Sequence, residues 1–217
     1  MADRILNQAV DVSEEFRNAA NDFFLPMRLE GWDARKGQGR LRWERQRLEP
    51  GVEFANAGRA FARNDAHSFR GGLYGDELCP FSVSFVTPRT IRIRMATARA
   101  FRKTESSLML ARRVPTDRSW RASGTSGTTV YRSACATVIV QSDPWRVSIA
   151  DAAGGELTHT LHVADTACFL NYDPMPFSFV RRPGDMRRQL VSSFSLAHDE
   201  KIFGCGESFT RLDKRGQ

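Results

Sequence analysis

Short runs in which every second residue is apolar dominate this chain. That period is the one a half-buried strand requires, because successive side chains of a strand point to opposite faces of its sheet. Leu41 and Trp43 alternate with Arg40, Arg42 and Glu44, and Phe81, Val83 and Phe85 alternate with Ser82 and Ser84. After the punctuation of Thr87-Pro88-Arg89, Ile91, Ile93 and Met95 alternate with Arg92 and Arg94. These last two runs predict a β-hairpin. Farther on, residues 136–141 form a β-branched run, Asp143-Pro144 marks a turn, and Trp145, Val147 and Ile149 share a side opposite Arg146 and Ser148. The stretch from Asp151 to Gly155 turns again into Leu157, Leu161 and Val163, and Leu190, Ser192, Phe194 and Leu196 alternate with Ser193 and Ser195. Many short strands at roughly ten-residue spacing, with no strand–helix–strand alternation, predict an all-β antiparallel sandwich or barrel.

The first residues read differently. Ile5, Ala9, Val12, Phe16, Ala19 and Phe23 recur at helical spacing, and Asp11 followed by Glu14 resembles a capping box. A short amphipathic helix over about residues 12–22 is expected, limited by Pro26. The expected organisation is therefore a lead-in over 1–37, carrying that helix, and one sandwich domain over 38–217. With 217 residues and 41% hydrophobic content, one substantial core is affordable in a single domain.

Composition narrows the partners. No run of about 18 apolar residues exists, so neither a transmembrane helix nor a membrane partner is expected. The start, Met1-Ala2-Asp3-Arg4-Ile5-Leu6, lacks the charged and apolar regions of a secretory signal. Cys79, Cys135, Cys168 and Cys205 are scattered, without a Cys-x-x-Cys pair or metal-ligand spacing, and read as free thiols in a reducing cytoplasm. His159 and His162, three apart on a strand, point to opposite faces and do not read as a metal pair. No metal and no cofactor are expected. Lys and Arg outnumber Asp and Glu by 32 to 25, a net charge of +7, which raises nucleic-acid binding. Only Arg181-Arg182 with Arg187-Arg188 clusters locally, and no nucleic-acid-binding motif accompanies it, so no nucleic-acid partner is expected. Gly124-Thr125-Ser126-Gly127-Thr128 lacks the Lys-Ser/Thr of a phosphate loop and reads as a surface loop. No Gly-x-Ser-x-Gly elbow marks a serine nucleophile.

Among the aromatic residues, Trp43 and Trp145 lie on alternating runs and read as core. Trp32 and Trp120 sit in polar, Gly- and Arg-containing stretches and are the candidates for stacking on a sugar ring.

The end of the chain carries the densest pattern: Phe203-Gly204-Cys205-Gly206-Glu207-Ser208-Phe209-Thr210-Arg211-Leu212-Asp213-Lys214-Arg215-Gly216-Gln217. Gly204 and Gly206 permit a tight bend or a close backbone approach. Glu207 after it is either a carboxylate held by backbone N–H groups or an exposed charge, and Phe209 and Leu212 can pack back on the strand that ends at Ile202-Phe203. This segment resembles the Gly-x-Gly-Glu-x-Phe-x-x-Leu-Asp/Asn-Lys-Arg-Gly signature that closes the N-terminal β-sandwich of glycoside hydrolase family 31, the α-glucosidase and α-xylosidase family. The Asp143-Pro144-Trp145 turn, the 193–196 stretch and the 80–92 hairpin are similar to that family's galactose-mutarotase-like supersandwich. Cys205 stands where the family more often has Leu.

The resemblance implies an antiparallel β-sandwich that supports a catalytic (β/α)8 barrel in a retaining glycosidase acting on α-linked glucosides or xylosides. It also implies that the two catalytic aspartates belong to the barrel, beyond residue 217, so no catalytic residue is assigned here and this stretch alone is expected to be inactive. Gly204, Gly206, Glu207, Phe209, Lys214, Arg215 and Gly216 are expected at the barrel junction or near the substrate pocket. The implied partners are the chain's own barrel and the carbohydrate substrate, with homo-oligomers left open. A free-standing carbohydrate-binding sandwich is the alternative.

Overall fold

The computed structural model describes residues 21–48, 69–70, 77–101, 114–162, 177–185, 187–197 and 199–203. Twelve strands lie among them: β1 (Asp22–Asp33), β2 (Gln38–Leu48), β3 (Phe69–Arg70), β4 (Glu77–Thr87), β5 (Thr90–Met95), β6 (Arg121–Thr125), β7 (Thr128–Arg132), β8 (Ala136–Ser142), β9 (Trp145–Asp151), β10 (Glu156–His159), β11 (Ser178–Arg181) and β12 (Gln189–Val191). No helix occurs among the described residues. A seven-stranded sheet runs β12-β11-β1-β2-β4-β5 with β3 beside β2, and a five-stranded sheet runs β10-β9-β8-β7-β6. Every pairing is antiparallel. One apolar cluster draws on both sheets, so the molecule is the expected antiparallel sandwich.

The alternating runs land where their period places them. In the β4–β5 hairpin, Phe81 pairs with Met95, Val83 with Ile93 and Phe85 with Ile91, all toward the core. The β8–β9 hairpin closes at Asp143-Pro144, with Ser142 opposite Trp145. Leu41, Trp43, Val138, Val140 and Val147 are fully buried, as is Trp145 to within 1%. Rings lock the two sheets together: Phe81 meets Trp145 edge-on at 5.6 Å, and Phe85 meets Tyr131 at 5.0 Å. Tyr131 donates its hydroxyl to the Ala34 carbonyl at 2.7 Å across the same gap.

The structure departs from expectation first at β1. Most of the expected helix lies outside the described residues, but Asp22 opens β1, and Phe23, counted in the helical period, is part of that strand. β1 sits inside the larger sheet between β11 and β2, so the sandwich takes in residues from 22 onward, across the expected boundary at 37. Phe23, Phe24 and Leu25 are buried in succession. A strand buried on both faces shows a continuous apolar run, which periodicity alone cannot separate from a helix. Pro26 is tolerated because β11 pairs only with residues 22–24 and the β1–β2 register slips between Pro26 and Arg28.

The 124–128 stretch, expected as a surface loop, is the tip of the β6–β7 hairpin, with Thr125 opposite Thr128. Every residue of β6 is exposed, so no apolar alternation announced it. Gly124, at φ 145°, brings its backbone so near Thr128 that an added Cβ would lie 2.2 Å from the Thr128 oxygen. On β10 the register slips between Glu156 and Thr158, and Leu157 at the slip turns outward.

Candidate functional site

The residues expected at the barrel junction, Gly204, Gly206, Glu207, Phe209, Lys214, Arg215 and Gly216, lie outside the described residues. Phe203, the last described residue, is exposed.

The two expected sugar-stacking rings are both taken into the sandwich. Trp120 is 7% exposed and stacks on Phe85 with centroids 4.2 Å apart, its Nε1 donating to the Thr87 carbonyl at 3.1 Å. Trp32 is half-buried against Phe81 at 5.7 Å and donates to Thr129 Oγ1 at 3.1 Å. The slip in β1 between Glu30 and Asp33 falls on Trp32, and a slip reverses which face a residue takes. Their polar neighbours suggested surface, but each indole N–H finds a partner inside the fold, which lets the ring be buried.

A groove of about 720 Å³ opens elsewhere, where the end of β5 and residues 96–101 approach the segment from Arg188 through β12 to Phe194. Phe177 and Thr160 also line it. Its two walls are joined where Arg188 donates to the Thr97 carbonyl, with the Arg188 guanidinium over the Phe179 ring at 5.3 Å, and the first wall is tied to β4 by the Ala96 N–H donating to the Pro80 carbonyl at 3.1 Å. The Arg94 guanidinium covers Phe101 at 4.5 Å. Phe194 meets Phe177 edge-on at 6.1 Å and is half-exposed to the opening. The lining thus joins aromatic faces, two guanidinium groups and the hydroxyls of Thr97 and Ser192, which suits a ligand with one apolar face and several hydroxyls. No Asp or Glu is among these lining residues, so they hold no acid and nucleophile pair for glycoside cleavage. No motif could have found this groove, because its walls come from three distant segments that only the topology brings together.

One cluster resembles catalytic machinery and is not. His159 Nδ1 lies 2.7 Å from Glu156 Oε1 and 3.1 Å from Ser195 Oγ. A relay needs the serine on one ring nitrogen and the acid on the other, whereas both partners here meet Nδ1. Their work is structural: His159 N–H donates to Ser195 Oγ at 2.9 Å, Ser195 N–H to the His159 carbonyl at 2.8 Å, and Thr158 Oγ1 to the Ser195 carbonyl at 2.9 Å. The segment after β12 is thereby stitched to β10, joining the edge of one sheet to the edge of the other.

Shifted ionisations follow local pairing. Glu30 is held below the ordinary carboxylate range, chiefly by the Arg42 hydrogen bond at 2.6 Å, with Arg28 adding to it at 2.9 Å. Asp33 is lowered by the backbone N–H groups of Lys36 and Arg35, and Asp185 by that of Arg187. Burial, with the Asp33 charge nearby, pushes the Tyr131 phenol up to about 12. Hydrogen bonding to Cys135, at 3.5 Å from its Nε, raises Arg89. None of these groups lines the groove, and each shift is accounted for by a turn, a strand pair or an inter-sheet tie.

No curated protein matches the chain. Among solved structures, an uncharacterized protein from Listeria monocytogenes EGD-e aligns over 91% of this chain and 14% of its own, at 14% identity and a TM-score of 0.54. The cycloalternan-forming enzyme from Listeria monocytogenes, solved with a pentasaccharide substrate, aligns over 91% of this chain and 21% of its own, at 12% identity and a TM-score of 0.46. At these identities the first supports the fold alone, and the second adds no weight. This chain spans only 14% of the length of the first of them. The family model of the glycosyl hydrolase 31 N-terminal galactose mutarotase-like domain matches residues 80–217, which take in the β4–β5 hairpin from Pro80 onward, the whole five-stranded sheet and the closing signature. With more than half of its length matched in this way, the chain belongs to the family of glycosyl hydrolase 31 N-terminal galactose mutarotase-like domains.

Proposed function

We propose that this chain is the N-terminal accessory domain of a retaining, cytoplasmic family 31 glycosidase acting on α-linked glucosides or xylosides. The domain packs on the catalytic barrel and helps shape its pocket, and the acid/base and nucleophile carboxylates belong to that barrel. The observation that carries this reading is the family match through residue 217, which includes the Gly-x-Gly-Glu signature. The groove, which pairs aromatic faces with hydroxyls and lacks a carboxylate, favours a second reading in which the sandwich binds carbohydrate by itself without cleaving it.

Two assays test the proposal. The 217-residue chain is expected to turn over neither aryl α-glucosides nor aryl α-xylosides. Turnover that survives separate substitution of Glu207 and Asp213 would show a site of its own. The full-length enzyme is expected to cleave at least one of these substrates, and proton NMR of the first-formed sugar should show the α anomer. A β anomer would exclude the retaining mechanism.

A further inference from the structure

The outer surface of the larger sheet is faced by arginine. Arg28 on β1 pairs with Arg42 on β2, Arg40 follows two residues away, and on β5 Arg94 and Arg92 stand opposite Ser82 and Ser84. The residues between them, Leu41, Val83 and Ile93, point into the core, so all five arginines share the other face. Two carboxylates accompany them. Glu30 is occupied, taking Arg28 Nε at 2.9 Å and Arg42 at 2.6 and 3.0 Å, and Glu44 stands at one end opposite Leu25. Arg40 donates to the Leu78 carbonyl at 2.6 Å and Arg94 covers Phe101, yet among the described residues neither these two nor Arg92 has a carboxylate partner. Strands about 4.8 Å apart, with about 6.6 Å between alternate residues, set the three within roughly 15 Å of one another. Gln38, Pro80, Ser82 and Ser84 lie between them. Gln38 and Ser84 are exposed there, Pro80 is half-buried and Ser82 is buried, so the approach to the arginines lies at Arg40 and along Ser84.

The geometry points to this face as the docking surface for an acidic protein surface, whose carboxylates take the guanidinium forks of Arg40, Arg92 and Arg94 as Glu30 takes those of Arg28 and Arg42. Planar forks match carboxylates in paired hydrogen bonds, and the Arg42–Glu30 pair already shows that arrangement on this sheet. Nucleic acid is the weaker occupant, because single strands are held by stacking on exposed rings. The exposed large apolar side chains among the described residues, at Leu157, Leu190, Phe194, Leu196 and Phe203, lie on other elements. This inference does not rest on the glycosidase reading.

Fluorescence anisotropy with labelled poly-L-glutamate, and with mixed-sequence single-stranded DNA of equal charge, tests it on the 217-residue chain. Poly-L-glutamate is expected to bind more tightly than the DNA, and Arg40→Gln/Arg92→Gln/Arg94→Gln should weaken it about tenfold. Arg121→Gln/Arg132→Gln, on the outer face of the smaller sheet, should change it less than about twofold. Because Arg94 also packs on Phe101, the double variant Arg40→Gln/Arg92→Gln, checked for an unchanged melting temperature, should keep about a third of the triple variant's effect on the logarithmic scale or more. Equal losses on the two sheets, no loss in either Arg40 variant, or tighter binding of the DNA would each overturn the assignment.

Discussion

Gly37 shows how tightly single positions are specified in this sandwich. It closes the β1–β2 turn with φ at +60°, and its carbonyl accepts the Val83 N–H at 2.9 Å. A Cβ built there would lie 2.2 Å from the Val83 oxygen, a clash with backbone that no rotamer relieves. Gly37→Ala is therefore expected to destabilise the chain by about 2 kcal/mol or more, from the strained φ and the displaced strand together. Urea unfolding followed by tryptophan fluorescence measures this, and an unchanged midpoint would mean that the turn re-forms at no cost. Tyr131 fastens the same turn from the other sheet, through its bond to Ala34. With its phenol pushed up to about 12, that group stays protonated, and so remains a donor, throughout the physiological range.

At the scale of elements, legibility followed the period. The β4–β5 and β8–β9 hairpins could be read because each has one wet face and a turn with Pro at its tip. β1 could not, because Phe23, Phe24 and Leu25 are buried together, and β6 could not, because none of its residues is buried. The burial of Trp120 and the half-burial of Trp32 were not legible, because local polarity does not report a register slip or an indole partner contributed by a distant residue. The stitch between sheets was equally silent in the sequence, and Thr160 lies next to it. That residue is 2% exposed, its Oγ1 accepts the Val147 N–H at 3.0 Å, and its own N–H donates to the Val147 carbonyl at 2.9 Å. It also bridges to Phe194, beyond β12. Thr160→Val keeps the shape and leaves the buried Val147 N–H without its acceptor, which should cost about 1–3 kcal/mol. Thr160→Ser, which keeps the oxygen, should cost less. Equal losses in thermal unfolding would assign the effect to packing of the methyl group instead.

Across the whole molecule, charge and apolar surface are segregated. The sheet faces carry arginine, whereas the exposed large apolar residues among those described fall on one edge: Leu157 on β10, and Leu190, Phe194, Leu196 and Phe203 from β12 onward. Contiguous apolar surface of more than a few hundred Å² is uncommon on a monomer and marks an interface. This edge runs directly into the closing signature, whose Phe209 and Leu212 lie outside the described residues. If the edge is where the barrel docks, the isolated chain should self-associate through it. Leu196→Ser/Phe203→Ser removes two side chains that are 37% and 56% exposed, so the fold itself should lose only about 2 kcal/mol. Sedimentation velocity should then show the oligomer dissociating. In the full-length enzyme, where the barrel would cover both residues, the same pair should cost about 1–3 kcal/mol more than in the isolated chain, from burial of the fractions exposed here. A chain that stays monomeric before substitution, together with a full-length enzyme indifferent to the pair, would show that this edge faces solvent and that the barrel docks on another surface.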